Sequence, residues 1–218
     1  MGALWIRELR SYWQSRFEAL QCLAVFSVVL LLFPLGVDPE PELLRLMAPA
    51  VIWGSALLAC VFGLETLFRQ DLREGWLEQA QTSIWPLPLL LALRMVAHWM
   101  FTGVPVVLAG VLGAAALGMS EPGIRAVGWS LLLGTPSLVA LGSVAAALTA
   151  NLTGGAMLSA LLVLPLYVPV LIFGASAIAL AEAGQGTDAS LYLMGCSLLL
   201  SILLAPLASA AALKVVAE

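Results

Sequence analysis

The chain has 218 residues, of which 62% are apolar and only 10% are charged. Soluble globular domains contain about 45–50% apolar and about 25% charged residues, so this composition excludes an ordinary soluble protein. Nine Lys and Arg residues against 13 Asp and Glu residues give a net charge of −4, which leaves no basic surplus for binding phosphates. Nucleic-acid binding is therefore disfavoured.

Residues 3–17 have the pattern of an amphipathic helix. At 100° per residue, Trp5, Leu9 and Trp13 fall on one face with the other apolar side chains, and Arg10 falls opposite. Such a helix lies in the membrane interface, either as an ordinary anchor or as an elbow that braces a moving bundle. A secretory signal peptide is the competing interpretation. We reject it because no small-residue cleavage site follows the long apolar run.

Charge-free intervals indicate the number of membrane crossings, because a span needs about 20 mostly apolar residues. The longest interval, residues 126–181, contains no charge, and a single helix of that length would be about three times as long as the hydrocarbon core is thick. The chain must therefore turn back, and Asn151-Leu152-Thr153-Gly154-Gly155 is the turn signal. The predicted spans are residues 19–37, 46–66, 88–118, 126–150, 156–180 and 189–213.

These spans predict an all-α integral membrane protein, with residues 1–218 forming one transmembrane domain of six transmembrane helices and an N-terminal interfacial helix. The distribution of Lys and Arg sets its orientation, since cytoplasmic loops carry the excess of positive charge. Arg45 and Arg125 fall on one side of the six-span arrangement. The side predicted to be cytoplasmic, which includes both termini, carries Arg7, Arg10, Arg16, Arg69, Arg73 and Lys214.

The connection between spans two and three, residues 69–85, is the only sizeable cytoplasmic loop in this prediction. It combines charged residues with an apolar patch, and Pro86 and Pro88 lead the chain straight back into the membrane. A solvated loop is one interpretation, and a short, rigidly held element that transmits force from a partner protein is the other. The candidate coupling residues are Asp71, Arg73, Glu74, Gly75, Trp76, Leu77 and Glu78.

Polar residues enter the membrane on span three. Arg94, His98 and Thr102 are spaced i, i+4 and i+8, which places them on one helix face. Ionisable groups within a span are candidate functional sites. Either Arg94 extends to the headgroups with His98 barely one turn inside, or the three residues face a cavity between two copies and contact the substrate. Met95 and Met100 are interpreted as packing residues.

Short motifs along the chain resemble one family of membrane proteins. The residues Glu74-Gly75-Trp76-Leu77-Glu78, followed by Pro86-Leu87-Pro88 and a long third span, resemble the permeases of the ABC-2 exporter class. Five further motifs, in their order along the chain, are similar to the CcmB family, heme exporter protein B of cytochrome c maturation. They are Phe33-Pro34-Leu35-Gly36, Ala48-Pro49-Ala50-Val51-Ile52-Trp53, Leu67-Phe68-Arg69-Gln70-Asp71-Leu72, Leu131-Leu132-Leu133-Gly134-Thr135-Pro136 and Leu162-Val163-Leu164-Pro165-Leu166.

This resemblance implies an ABC-2 type permease in the bacterial inner (cytoplasmic) membrane that works as a homodimer. It implies an ATPase partner like CcmA, membrane partners like CcmC and CcmD and, indirectly, a heme chaperone like CcmE. Heme is then the transported ligand, or the complex releases the heme-loaded chaperone, and no resident cofactor is expected. In this interpretation Arg94 meets the heme propionates and His98 meets the iron.

The residues agree with such a division of labour. No G-x-x-x-x-G-K-[ST] motif occurs, so another chain must hydrolyse ATP and this chain is not expected to be an enzyme. Its single histidine cannot supply two axial heme ligands from one copy, and its three cysteines lack metal-binding spacing. Two alternatives stay open: an ABC-2 permease for a lipid or polysaccharide, and an assembly factor that releases a partner while transporting nothing.

Overall fold

The computed structural model describes residues 16–36, 40–73, 83–152 and 155–217. Within these residues the chain forms six α-helices and no β-strand. The helices are α1 (Arg16–Gly36), α2 (Pro41–Arg73), α3 (Leu87–Ala116), α4 (Glu121–Leu148), α5 (Gly155–Glu182) and α6 (Asp188–Ala217). Most of the predicted interfacial helix, and the predicted coupling residues 74–78, lie outside the described part of the chain.

Five of the described helices are long and apolar enough to cross a membrane. Their spanning stretches are Pro41–Leu64, Leu87–Ala116, Glu121–Leu148, Met157–Glu182 and Asp188–Val215. α1 adds a shorter apolar stretch, Leu20–Gly36, within a helix of 21 residues. Its whole length is about 32 Å, close to the thickness of the hydrocarbon core. The protein is therefore an all-α, multi-pass membrane protein.

Helix α2 is longer than the span that the sequence predicts. It has 33 residues and is about 50 Å long, against a hydrocarbon core of about 30 Å. Its apolar stretch ends at Leu64, but Glu65, Arg69 and Gln70, which follow it, are good helix formers, and the helix continues to Arg73. The last part of α2 thus projects about 13 Å beyond Leu64.

Helix α4 lies at the centre of the bundle, where it packs against α2, α3, α5 and α6. Small residues let helix backbones approach closely in a membrane, and they make up most of its buried face. These residues are Gly123, Ala126, Ser130, Gly134, Thr135, Ser137, Ala140, Gly142, Ser143, Ala145, Ala146 and Ala147. The chain turns back after α4 at the site of the predicted turn, where Leu152 N donates to Thr149 O at 3.1 Å.

The largest fully buried side chain, Trp53 of α2, wedges between two glycines. A Cβ atom at Gly134 of α4 would lie 2.2 Å from Trp53 Cη2, and one at Gly174 of α5 would lie 2.1 Å from Trp53 Cε2. Both glycines are required because a rigid indole ring cannot give way by the needed ångström or more. Trp53 therefore fixes α2 against α4 and α5 near the middle of the bundle.

Two turns at one end of the bundle share a design. Gly118 follows α3 and Gly184 follows α5, with φ angles of +71° and +67°, where only glycine is unstrained. Backbone bonds that reach back to the helix close both turns, from Met119 N to Ala114 O and from Gln185 N to Leu180 O. This is the Schellman type of helix ending, and it brings the ends of α3 and α5 beside the start of the next helix.

Candidate functional site

The predicted stripe on α3 faces the inside of the bundle. Arg94, His98 and Thr102 are 7%, 1% and 5% exposed, so all three side chains are buried within a single chain. Their helical spacing predicts a shared face, and the structure has them on one. Arg94 and His98 face α2, which lies beside α3.

Arg94 contacts the main chain of α2. Its Nε donates to the carbonyl oxygen of Leu67 at 3.2 Å, six residues before α2 ends. Arg94 is only 7% exposed, so this carbonyl satisfies the guanidinium inside the protein, where an unsatisfied charge would be costly. Both interpretations of the stripe, the membrane boundary and the substrate contact, stay predictions.

His98 meets α2 at a glycine. A Cβ atom at Gly63 would lie 3.5 Å from His98 Nε2 and 3.0 Å from Cys22 Sγ, so α1, α2 and α3 converge at this position. Cys22, one of the three cysteines without metal-binding spacing in the sequence, thus lies at the same site. No local pattern reveals it, because Cys22 and His98 come from helices that are far apart along the chain.

Thr102 differs from the other two residues. Its Oγ1 donates to the carbonyl oxygen of His98 at 2.8 Å, within the same helix. The hydroxyl proton is therefore already used, as is common for threonine inside a helix. Across the described residues there is no group of three or more His, Cys, Asp or Glu side chains that could hold a metal ion.

The structure describes residues on both sides of the predicted coupling segment. Asp71 and Arg73 belong to the last turn of α2, whereas Glu74, Gly75, Trp76, Leu77 and Glu78 lie outside the described residues. After the gap, Trp85 packs on the buried cluster that contains Leu67, while Ile84 is 99% exposed. The chain thus leaves and re-enters the bundle at fixed points.

Comparison with known proteins identifies the family. A sequence model described as "CcmB protein" matches residues 1–216. The chain is 43% identical to heme exporter protein B of Pseudomonas aeruginosa, over 96% of this chain and 94% of that protein. It is 40% identical to heme exporter protein B of Paracoccus denitrificans over 99% of both chains, and 42% identical to the Escherichia coli K12 protein over 95% of this chain and 94% of that one.

The chain belongs to the CcmB family. The resemblance inferred from its motifs is confirmed. CcmB proteins are ABC-2 type permeases, which agrees with the all-α membrane bundle described above.

This CcmB-family bundle contains a polar seam that sequence reasoning missed. Ser143 Oγ of α4 lies 3.2 Å from Ser209 Oγ of α6 and 3.5 Å from Met95 Sδ of α3. Beside it, Trp99 Nε1 of α3 donates to Thr135 Oγ1 of α4 at 2.9 Å. These contacts join α3, α4 and α6 around an apolar cavity of about 60 Å³, lined by Ala92, Met95, Val96, Trp99, Pro136, Ala140, Ile202 and Pro206.

A further polar contact of the CcmB-family bundle lies where α5 ends and α4 begins, at the opposite end from Arg94. Glu182, the last residue of α5, accepts hydrogen bonds from the backbone N and the Oγ of Ser120, each at 2.8 Å. Ser120 is the N-cap of α4, where the helix dipole favours a carboxylate. A Cβ atom at Gly123 would lie 1.8 Å from Glu182 Oε1. Sequence reasoning missed this contact, because its two residues come from different helices.

Proposed function

We propose that this chain is the membrane subunit of an ABC transporter that exports heme for cytochrome c maturation. The observation that carries this proposal is the family match over residues 1–216, supported by relatives named heme exporter protein B at 38–43% identity. In this role the chain is a permease subunit and not an enzyme. Since it has no phosphate-binding loop, a partner ATPase like CcmA hydrolyses the ATP.

The ATPase acts, in this proposal, on the connection between α2 and α3. Its candidate contact residues are the seven named above, from Asp71 to Glu78. Two features support this position. The turn between α4 and α5 is too short to reach a partner, whereas α2 continues as a stiff helix well beyond its apolar stretch. A projecting helix is suited to receive a push from a bound protein.

The surroundings of the subunit follow from the same proposal. The chain lies in the bacterial inner membrane with both termini in the cytoplasm, because most Lys and Arg residues fall on that side. It acts as a homodimer beside CcmC-like and CcmD-like proteins and serves a CcmE-like chaperone. Reporter fusions at Glu218 and within residues 38–42 test the orientation, since they should report opposite sides; a C-terminal reporter active only outside would overturn it.

Substrate contact by Arg94, His98 and Thr102 also belongs to this proposal. Because the three side chains are buried, with Arg94 and His98 against α2, heme would reach these two only after α2 and α3 separate. The proximity of Cys22 and His98 at Gly63 supports the idea, since thiolate and imidazole are both heme-iron ligands in proteins. This site would then form during transport and close at rest.

Complementation tests the proposed function. A bacterium that lacks its own CcmB subunit should regain c-type cytochromes when this chain is expressed with a cognate ATPase, and an ATPase variant without its catalytic lysine should fail. The proposal would be contradicted if this chain and the cognate ATPase were present in the membrane but no c-type cytochrome formed. Vesicles containing the complex, heme and the chaperone then separate heme transport from chaperone release, because only transport accumulates heme across the membrane.

A further inference from the structure

A buried hydrogen bond joins the projecting end of α2 to the start of α3. It is the hydrogen bond from Arg94 Nε to the carbonyl oxygen of Leu67. Leu67 lies about one turn beyond Leu64, where the apolar stretch of α2 ends. The contact therefore lies between the part of α2 that crosses the membrane and the part that leads into the coupling segment.

Apolar packing reinforces this contact. The side chain of Leu67 is fully buried, in one cluster with Leu87, Leu91 and Met95 of α3. A hydrogen bond from a charged donor is about twice as strong as a neutral one, and an arginine inside a span is costly when it loses its acceptor. Separating α3 from the end of α2 is thus unfavourable, and a displacement of that end moves α3 with it.

The acceptor also permits some movement. Leu67 is an interior helix residue, so its carbonyl already accepts a bond within α2 and offers Arg94 its second lone pair. Neighbouring carbonyls of the same helix present the same chemistry. A guanidinium with five donors can therefore keep a partner on α2 while the two helices shift slightly.

We infer that Arg94 is a positioning residue for the ATP-driven step, passing displacement of the α2–α3 connection on to α3. This inference rests on the proposed function, and it gives Arg94 a role in force transmission in addition to the substrate contact proposed above. α3 is bound in turn to α4 through Trp99 and Thr135, so the movement reaches the centre of the bundle.

The test uses the complete complex in reconstituted vesicles with Arg94→Met, which keeps a long apolar stem and removes the donors. Three quantities are measured: the ATPase that co-purifies, the ATP hydrolysis rate, and the heme transported or chaperone released per ATP hydrolysed. We expect the first two to change by less than about twofold and the third to fall about tenfold, within the usual range of coupling between sites. Arg94→Lys, which retains a charged donor, should recover part of the loss.

Arg125→Met is the matched control, because Arg125 is an exposed arginine on α4, paired only with Glu121 at 3.9 Å among the described residues. All three quantities should stay unchanged. If Arg94→Met does not accumulate, Arg94→Lys and Arg94→Gln decide, since both retain a donor of shorter reach. A lower yield per ATP from an assembled complex supports the inference.

Three outcomes overturn it: an unchanged yield per ATP in the assembled Arg94 variants, a loss confined to assembly in all of them, or a loss of bound heme that accounts for the lower yield. The wild-type chain separates this failure from that of the proposed function. A wild-type complex that hydrolyses ATP but neither transports heme nor releases the chaperone overturns the proposed function itself.

Discussion

A charged side chain joins two helices by hydrogen bonding at each end of the bundle, but the two charges are opposite and their partners differ. At one end a cation, Arg94, meets a carbonyl inside helix α2. At the other an anion, Glu182, meets the first free N–H and the hydroxyl at the start of α4. A helix start occurs once, whereas interior carbonyls repeat along the whole helix. The Glu182 contact can therefore form at one position only, so it fixes α5 against the start of α4. The Arg94 contact can move to a neighbouring carbonyl, so it permits α3 to shift along α2.

The largest expected effect concerns Trp76 of the predicted coupling segment, which lies outside the described residues. Trp76→Ala should weaken ATPase binding about 30-fold, because a buried aromatic anchor contributes about 2 kcal/mol or more to an interface. Glu78→Gln, a rim charge in the same segment, should change it much less. Co-purification of the ATPase at several salt concentrations measures both. Equal retention of the ATPase by the two variants would show that the segment is only a solvated loop.

His98→Ala tests whether the same end also contacts heme. The heme recovered with the complex purified during ATP turnover should fall about tenfold, the effect of losing about 1.4 kcal/mol of binding, while ATP hydrolysis stays intact. Ser137→Ala on α4 is the matched control, because the Ser137 hydroxyl donates within its own helix and lies outside the proposed substrate contact. Absorbance of bound heme is the measurement. Unchanged heme in His98→Ala would restrict His98 to packing against Gly63.

Glu182→Ala tests the fixed end. Removing the carboxylate leaves the N-cap of α4 without its acceptor from α5, which should lower the free energy of unfolding by about 1–2 kcal/mol. Thermal unfolding in detergent measures the change. The yield of heme transport or chaperone release per ATP should stay unchanged, unlike that of the Arg94 variants. A reduced yield per ATP without loss of stability would mean that this end also moves.

Gly123→Ala should have the smallest effect, because the side chain it displaces is the flexible carboxylate of Glu182. We expect a loss of about 1 kcal/mol or less, since glycine within a helix is itself unfavourable relative to alanine. The double variant Gly123→Ala/Glu182→Ala should be hardly less stable than Glu182→Ala alone. Additive losses would show that Gly123 serves another contact.

The sequence predicts the helices better than their ends. Charge-free intervals and one turn signal are enough to predict six apolar helices and a reversal of the chain near Asn151. They predict that the second span ends at residue 66, because hydropathy indicates where the chain leaves the membrane and not where the helix ends. In the structure α2 continues to Arg73. The projecting part of α2 is therefore visible only in the structure.

The candidate site is predicted only in part. Helical spacing places Arg94, His98 and Thr102 on one face, because the period of a helix is fixed. It cannot choose the helix that this face meets, which requires long-range packing. For the same reason the contacts of Cys22 and Glu182 were missed, since their partners come from other helices.

Trp53, which packs between Gly134 and Gly174, gives α2 a point about which it can tilt. From that point Arg73 lies about 30 Å along the helix axis in one direction, and Pro41 lies about 18 Å in the other. If α2 tilts about that point as one body, Pro49 included, a tilt that carries Arg73 one way carries Pro41 the opposite way by about three fifths as much. A push on one side of the membrane would arrive at the other side reversed and reduced.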